Sequence, residues 1–429
     1  MKASKYNNSF VEGDSIIYFN SLTESSFRTS KITADSINAI LENSDFQDKK
    51  FDTFISNMKS QGFIIDDECD ESALLEKKYN RLRNPDIYTF MVLPTYQCNL
   101  RCWYCIQEHA DSWLSDESLE KIKIRVKKQI SRDEIRHIRF MWFGGEPLLA
   151  YDTVLTFTQW IKELAQANNK TFDCSITTNG TLLNEERIEQ LREAGVNHYQ
   201  ITVDGDRATH NSIKVLGKQS AYDTTLRNIS LLSRHTTCSL RFNYTKDNLK
   251  PESIINDLDK VLPENRKNIR FTLHRVWQED NDTIPDEKVI ELMNRAFAIN
   301  LLPVLSELGL CYTDFKYFDC FFANGTVGKC DNIDPSELNS FIDSEGNVKF
   351  GEEEASFTPV MDVEATECKE CSYLPICWGP CTAKRHPMLK TAKKIICQFN
   401  DKQKDMHESI RRIHLNREYV KKATEKGIL

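Results

Sequence analysis

From Tyr88 to Asn300 the sequence alternates strand-like apolar runs with helix-like amphipathic runs, and this rhythm limits the fold more than any other feature. The strand candidates are YTFMVLPTY, HIRFMWF, CSITTN, HYQITV, SLRFNYT and IRFTLHRV. Helical spacing fills the gaps at Asp116–Ile130, Asp152–Ala167, Asn184–Ala194, Tyr222–Ser233 and Pro251–Leu262, and again at Asp286–Asn300. Consecutive βα units of this kind predict a parallel sheet with helices packed on it. A full barrel needs eight units. The six here predict an α/β fold, either a partial (β/α)6 barrel over residues 86–305 or an open sheet. In both, ligand-binding groups collect at the C-terminal ends of the strands. Cys98 follows the first strand, Gly144 and Gly145 the second, Asn179 the third and Asp204 the fourth.

The flanking segments lack this rhythm. In residues 1–85, SIIYF alternates like a strand, Asp35–Leu41 and Phe51–Gln61 have helical spacing, Gly62 closes the second helix, and FII follows as a strand. The order predicts a small winged-helix-like domain. Residues 306–400 are rich in cysteine and turns, with too little apolar content for an ordinary core, so metal is expected to support their folding. Residues 401–429 read as a charged surface helix.

Bulk properties exclude several functions. The net charge of -8 gives no broad basic field for nucleic acid. No apolar run reaches the roughly 18–20 residues of a membrane span, and Met1–Ser9 lacks a signal-peptide core. The expectation is a cytoplasmic protein with neither nucleic-acid nor membrane partners. Fourteen cysteines are many for that compartment, where structural disulfides are rare. Three lie near position 100 and eight between Cys311 and Cys397. The isolated Cys69, Cys174 and Cys238 read as small buried apolar residues.

The first group, CNLRCWYC, spaces Cys98, Cys102 and Cys105 as C-x3-C-x2-C. Three thiolates on one loop can hold three irons of a 4Fe–4S cluster and leave the fourth iron open to a small molecule with amino and carboxylate groups. A structural zinc site is the competing reading. It wants a fourth ligand, and the nearest candidate is His109. FGGEP follows the second strand; its glycines allow close backbone approach, and Glu146 adds a carboxylate.

These motifs resemble those of radical S-adenosylmethionine (SAM) enzymes over Tyr88 to Asn300. The resemblance implies that Tyr104 lies against the adenine of SAM, and that Gly144, Gly145 and Glu146 receive its amino group. It also places Thr202 where a ribose-binding serine stands, and Lys214 where an arginine is expected to contact the SAM carboxylate. Lysine keeps that charge without the planar fork. Asn179 and Asp204 read equally as SAM ligands or as turn residues.

The later cysteines, C-x2-C-x5-C-x3-C with one more downstream, resemble a SPASM domain, which carries two auxiliary clusters on peptide-modifying radical SAM enzymes. This implies three 4Fe–4S clusters in all. Cys368, Cys371, Cys377 and Cys397 would hold one auxiliary cluster. Gly351 stands where the family has a cysteine, so Cys311, Cys320, Cys330 and Cys381 are the proposed ligands of the other. Glu352 occupies the place of an aspartate base in the sulfatase-maturating members. GEEEAS reads more simply as a solvated loop, which weakens the case for sulfatase maturation. A zinc-ribbon-like structural domain is the alternative for the whole segment.

Residues 1–85 resemble elements that bind a leader peptide as an added edge strand in maturases of ribosomal peptides; bracing of the barrel is the alternative. The resemblance implies a maturase installing a thioether or carbon crosslink in a precursor peptide, supplied with electrons by a donor such as flavodoxin or ferredoxin. Formylglycine formation in a sulfatase is the alternative activity. A non-catalytic metal-binding interaction protein is the alternative of another class.

Overall fold

The computed structural model describes residues 1–42, 52–263, 266–276, 278, 286–351 and 356–429. The chain forms two compact units. One comprises Asp86–Ser306, Tyr317–Glu353 and Arg412–Leu429; the other comprises Met1–Pro85, Glu307–Lys316 and Glu354–Arg411.

The larger unit is built on one sheet. In chain order its strands are β1 (Ile87–Val92), β2 (His137–Trp142), β3 (Thr171–Thr178), β4 (Val196–Val203), β5 (Thr237–Tyr244), β6 (Ile269–Arg275), β7 (Leu302–Leu305), β8 (Tyr317–Phe321) and β9 (Val327–Gly328). The pairing runs β7-β6-β5-β4-β3-β2-β1-β8-β9, and every pair but the last is parallel. Connecting helices are α1 (Asp116–Ile130), α2 (Tyr151–Ala167), α3 (Glu185–Ala194), α4 (Ala221–Leu232), α5 (Pro251–Val261) and α6 (Asp286–Ala298).

Burial alternates along β2, whereas β1 is buried at all but its first residue. In HIRFMW of β2, Ile138, Phe140 and Trp142 are buried under the helices, while His137, Arg139 and Met141 turn to the other face. Two of the helices start where a side chain takes an orphan amide: Ser115 accepts from Ser118 N before α1, and Asn184 from Arg187 N before α3. Gly195 ends α3 in the left-handed region at φ 118°.

The sheet is larger than the six expected strands. β7 was hidden in the sequence by Pro303, which suits it to the edge of the sheet, where a missing amide is tolerated. β8 lies inside the segment expected to be irregular. It pairs with β1 on the side away from β2, matching Cys320 with Met91. A buried network fixes this return. Arg125 of α1 donates from Nε to Asp319 Oδ2 and from Nη2 to Tyr88 Oη, both at 2.8 Å, and Tyr88 Oη donates to Asp319 Oδ2 at 2.8 Å. Burial pushes the Asp319 carboxyl up, but Arg125 and Lys329 outweigh it and hold it below the usual range.

In the smaller unit, Asn7–Glu12, Ser15–Asn20 and Ser26–Ser30 form a three-stranded antiparallel sheet. Helices Lys31–Glu42 and Asp52–Ser60 follow, and Lys2–Ala3 pairs with Ile64–Ile65. Tyr18, Ile37, Ile40, Met58, Phe63 and Ile64 make its first core. A second core joins Tyr6, Leu75 and Tyr79 to Val360, Leu374, Trp378 and Ile395. Residues 1–85 therefore share apolar packing with the cysteine-rich segment, where the sequence suggested separate domains.

Two further expectations are corrected. Cys174 and Cys238 are fully buried, but Cys69 is only half-buried. The C-terminal helix, Lys402–Glu425, is more than a charged surface element. Met406, Ile410, Ile413, Tyr419 and Ala423 recur every three to six positions along it and are buried.

Candidate active site

The loop after β1 carries the first cysteines, and it is sewn down on both sides. At its base, Tyr96 N donates to Ser112 O at 3.2 Å and Leu114 N to Pro94 O at 2.9 Å. Beside it runs the loop after β2, where Gly145 N donates to Thr95 O at 3.0 Å and Glu146 N to Gln97 O at 2.8 Å.

The two glycines make that approach possible. A Cβ on Gly144 would stand 2.5 Å from Thr95 O, and φ there is +116°. A Cβ on Gly145 would stand 2.3 Å from Gln97 O and 2.4 Å from Tyr96 O. The glycine pair thus admits the backbone of the cysteine loop itself.

Glu146 is likewise turned inward. It is fully buried, and its carboxylate accepts from Leu148 N at 3.0 Å, Thr178 Oγ1 at 2.7 Å and Asn179 N at 2.8 Å. Burial pushes its pKa up against these donors. Its side chain locks the end of β3 to the loop after β2.

Asn179, held in this way, donates to Asn99 Oδ1 at 2.8 Å and lies 3.8 Å from Cys98 Sγ. Leu100 N also points at Cys98 Sγ, at 3.4 Å. Such N–H···S contacts suit a sulfur that carries negative charge. Burial alone would raise the Cys98 thiol, with Leu100 N–H opposing, and it pushes the Cys102 thiol up to about 11. Cys105 is exposed, with His109 Nε2 3.3 Å from its sulfur.

A second network lies across the ends of β4 and β5. Tyr104 Oη donates to Asp204 Oδ1 at 2.7 Å and accepts from Asn243 Nδ2 at 3.2 Å. Burial and the Asp204 carboxylate keep the phenol protonated far above its ordinary range. Lys214 is 2% exposed; it donates to Thr202 O at 3.0 Å and to Thr202 Oγ1, and Asp204 Oδ2 lies 3.3 Å from its Nζ. The two Thr202 oxygens accept its hydrogen bonds, and the Asp204 carboxylate balances its charge as an ion pair. Lys214 and Thr202, the residues that the resemblance assigned to the SAM carboxylate and ribose, are bonded to each other. Asp204 ties Tyr104 to Lys214 and is more than a turn residue.

Sequence reasoning missed Asn243 and its neighbour Arg241, whose Nε donates to Asn243 Oδ1 at 2.9 Å. The signal was present. In SLRFNY the apolar Leu240, Phe242 and Tyr244 are buried under the helices, which turns Arg241 and Asn243 to the opposite face.

In the smaller unit, Cys368, Cys371, Cys377 and Cys397 line one cavity together with Tyr373, Gly379 and Lys402. Cys371 N donates to Cys368 O at 3.0 Å, and a Cβ on Gly379 would meet Val360 at 2.7 Å. Burial pushes the Cys377 thiol up to about 12. Cys381 stands outside that lining, in the same unit as Cys311. Cys320 and Cys330 are buried in the larger unit. Among the described residues, no three His, Cys, Asp or Glu side chains are gathered closely enough to hold one metal ion. A cubane makes a looser demand, because each thiolate meets a different iron. Glu352 lies outside the described residues, as do Glu353 and Glu354 of the same run.

Residues 92–258 match the model of the Radical SAM superfamily. The chain is 27% identical over 359 residues to the serine-type anaerobic sulfatase-maturating enzyme of Bacteroides thetaiotaomicron, covering 67% of this chain and 80% of that one. It is 23% identical to the cysteine-type anaerobic sulfatase-maturating enzyme of Clostridium novyi, covering 70% and 90%. Fe-coproporphyrin III synthase of Methanosarcina barkeri is 29% identical over 167 residues, and the match spans only 39% of its length. Among solved structures, one described as native anSMEcpe with bound AdoMet and Cp18Cys peptide superposes with a TM-score of 0.54 at 18% identity, over 78% of this chain and all of that one. That likeness is one of fold. Among the described residues, no helix is long and apolar enough to cross a membrane.

Proposed function

We propose, from the premise that this chain is an enzyme with a radical SAM domain over residues 92–258, that it modifies a peptide by hydrogen abstraction and holds three 4Fe–4S clusters. The premise sets aside the non-catalytic alternative. The observation that carries the proposal is the cysteine loop. Its backbone is bonded to Gly145 and Glu146, and Asn179 faces Cys98, so three thiolates sit on a braced loop at the C-terminal ends of β1 to β3.

When bound, the cluster and SAM supply a carbon radical able to take hydrogen from an unactivated carbon. The chain's own residues do the rest. Cys98, Cys102 and Cys105 are the ligands. Asn179 and Leu100 N–H stabilise charge on the Cys98 sulfur. Tyr104, Asp204, Asn243 and Lys214 form a rigid polar floor beside the loop. The four cysteines around one cavity fit the donor chemistry of an auxiliary cluster. Cys311, Cys320, Cys330 and Cys381 remain our assignment for the other.

The proposed substrate is a ribosomally made precursor peptide whose leader is read by residues 1–85, and the proposed product carries a thioether or carbon crosslink. A flavodoxin or ferredoxin would deliver electrons. A second reading, formylglycine formation, is favoured by one finding: sulfatase-maturating enzymes align over 80% and 90% of their own lengths.

The test is anaerobic reconstitution with iron and sulfide, followed by reduction in the presence of SAM. Formation of 5′-deoxyadenosine is expected, and its absence would remove the proposal. Co-expression with a short peptide encoded nearby, read by mass spectrometry, should give a loss of two hydrogens. Conversion of a sulfatase-derived Ser or Cys peptide to an aldehyde would instead establish the second reading.

A further inference from the structure

Among the described residues, Lys402 is the cationic side chain in the lining of the cavity formed by Cys368, Cys371, Cys377 and Cys397. The residue stands at the first position of the helix Lys402–Glu425. That helix start is itself fixed: Asp401 Oδ1 accepts from Lys404 N at 3.1 Å, and Asp405 N donates to Asp401 O at 3.0 Å. The ammonium of Lys402 is therefore held beside these sulfurs by a capped helix start. Cys397 lies just upstream on the same stretch, so ligand and cation are placed by one segment. The acidic residue of the lining, Glu367, is occupied by Lys394 at 3.5 Å and opposes Lys402 weakly.

We propose that Lys402 is a positioning residue for the cluster held by these four cysteines and raises the potential at which that cluster accepts an electron. The inference rests on the auxiliary-cluster reading given above. Reduction adds one electron, and so one negative charge, to a group already surrounded by four thiolates. A fixed cation stabilises the reduced form more than the oxidised one. Lys402 is exposed to solvent, so salt should screen its effect.

The experiment uses the full chain with Cys98→Ala, Cys102→Ala and Cys105→Ala, which removes the signal of the first cluster. After anaerobic reconstitution, iron is counted, and a dithionite titration is followed by electron paramagnetic resonance. Adding Lys402→Met should leave the iron count unchanged and move one midpoint potential to a more negative value. The shift should widen at low ionic strength, and Lys402→Arg should restore most of it. Equal potentials in all three proteins would overturn the proposal. So would loss of the cluster in both Lys402 variants, because Lys402 would then be holding the fold. Iron that stays unchanged in Cys371→Ala would instead sink the underlying reading that these cysteines hold a cluster.

Discussion

Gly145 carries a heavier constraint than its place in a short motif suggests. A methyl group there would sit 2.3 Å from Gln97 O, a backbone atom that cannot swing aside. Gly145→Ala should displace the cysteine loop and cost the first cluster. Iron is expected to fall by about one cluster per chain, with 5′-deoxyadenosine formation lost and the far-ultraviolet dichroism kept. Unchanged iron would count against the loop-docking role. Glu146→Ala should act on stability instead. It strands two buried amides and the Thr178 hydroxyl, at about 1–3 kcal/mol for each group left unpaired. A loss of about 2–4 kcal/mol in denaturant unfolding is expected once the site relaxes; a loss under about 0.5 kcal/mol would show that water replaces the carboxylate. At this scale the sequence was half legible. Cysteine spacing singled out the loop after β1 and the residues that line the cavity of the smaller unit, because cluster chemistry dictates residue type and interval. The partners of Glu146 and Lys214 were not legible, because a carboxylate facing a ligand and one facing two backbone amides and a hydroxyl are written with the same letter.

The elements were easier to read where one face of a strand is apolar and the other polar, as in β2 and β5. β7 and β8 were missed for opposite reasons: Pro303 breaks the pattern of the first, and the second lies among cysteines and turns. What holds β8 is the Arg125, Tyr88 and Asp319 network, and it should be costly to break. Asp319→Ala leaves the Arg125 guanidinium without its buried carboxylate, with an expected loss of about 3–5 kcal/mol. The pH dependence has a fixed sign. The folded pKa of Asp319 is depressed, so its contribution is present above the unfolded value of about 3.9 and is lost as pH falls through the folded value. Unfolding free energy measured from pH 6 downward should therefore fall more steeply in the parent than in Asp319→Ala. Parallel curves would remove Asp319 from the account.

For the whole molecule, the two units predict different responses to iron. The core of the larger unit is continuous and apolar, and it includes Phe90, Phe140, Tyr199, Leu240 and Phe271, all fully buried. The segment 356–411 has few such residues, and Cys368 is itself part of its apolar cluster. Removing iron with a chelator should speed hydrogen exchange in 356–400 while leaving β1 to β6 protected, because metal binding there is also folding energy. Uniform protection in both forms would show that the cysteines fold without metal. The division into units was not legible in the sequence. Chain order suggested domains in series, whereas Tyr6 and Tyr79 pack with Val360 and Trp378 in one cluster.

β8 has one more consequence, and it concerns synthesis. β1 needs neighbours on both sides, and one of them is not made until residue 321, after everything from residue 93 to residue 316 has been translated. At about 5–20 residues per second, that delay is roughly ten to forty-five seconds. Through that interval the nascent sheet carries a bare strand edge beside the cysteine loop, open to chaperones and to unwanted pairing alike. Leu93 N, whose acceptor is Phe321 O, gains its partner only when the delay ends.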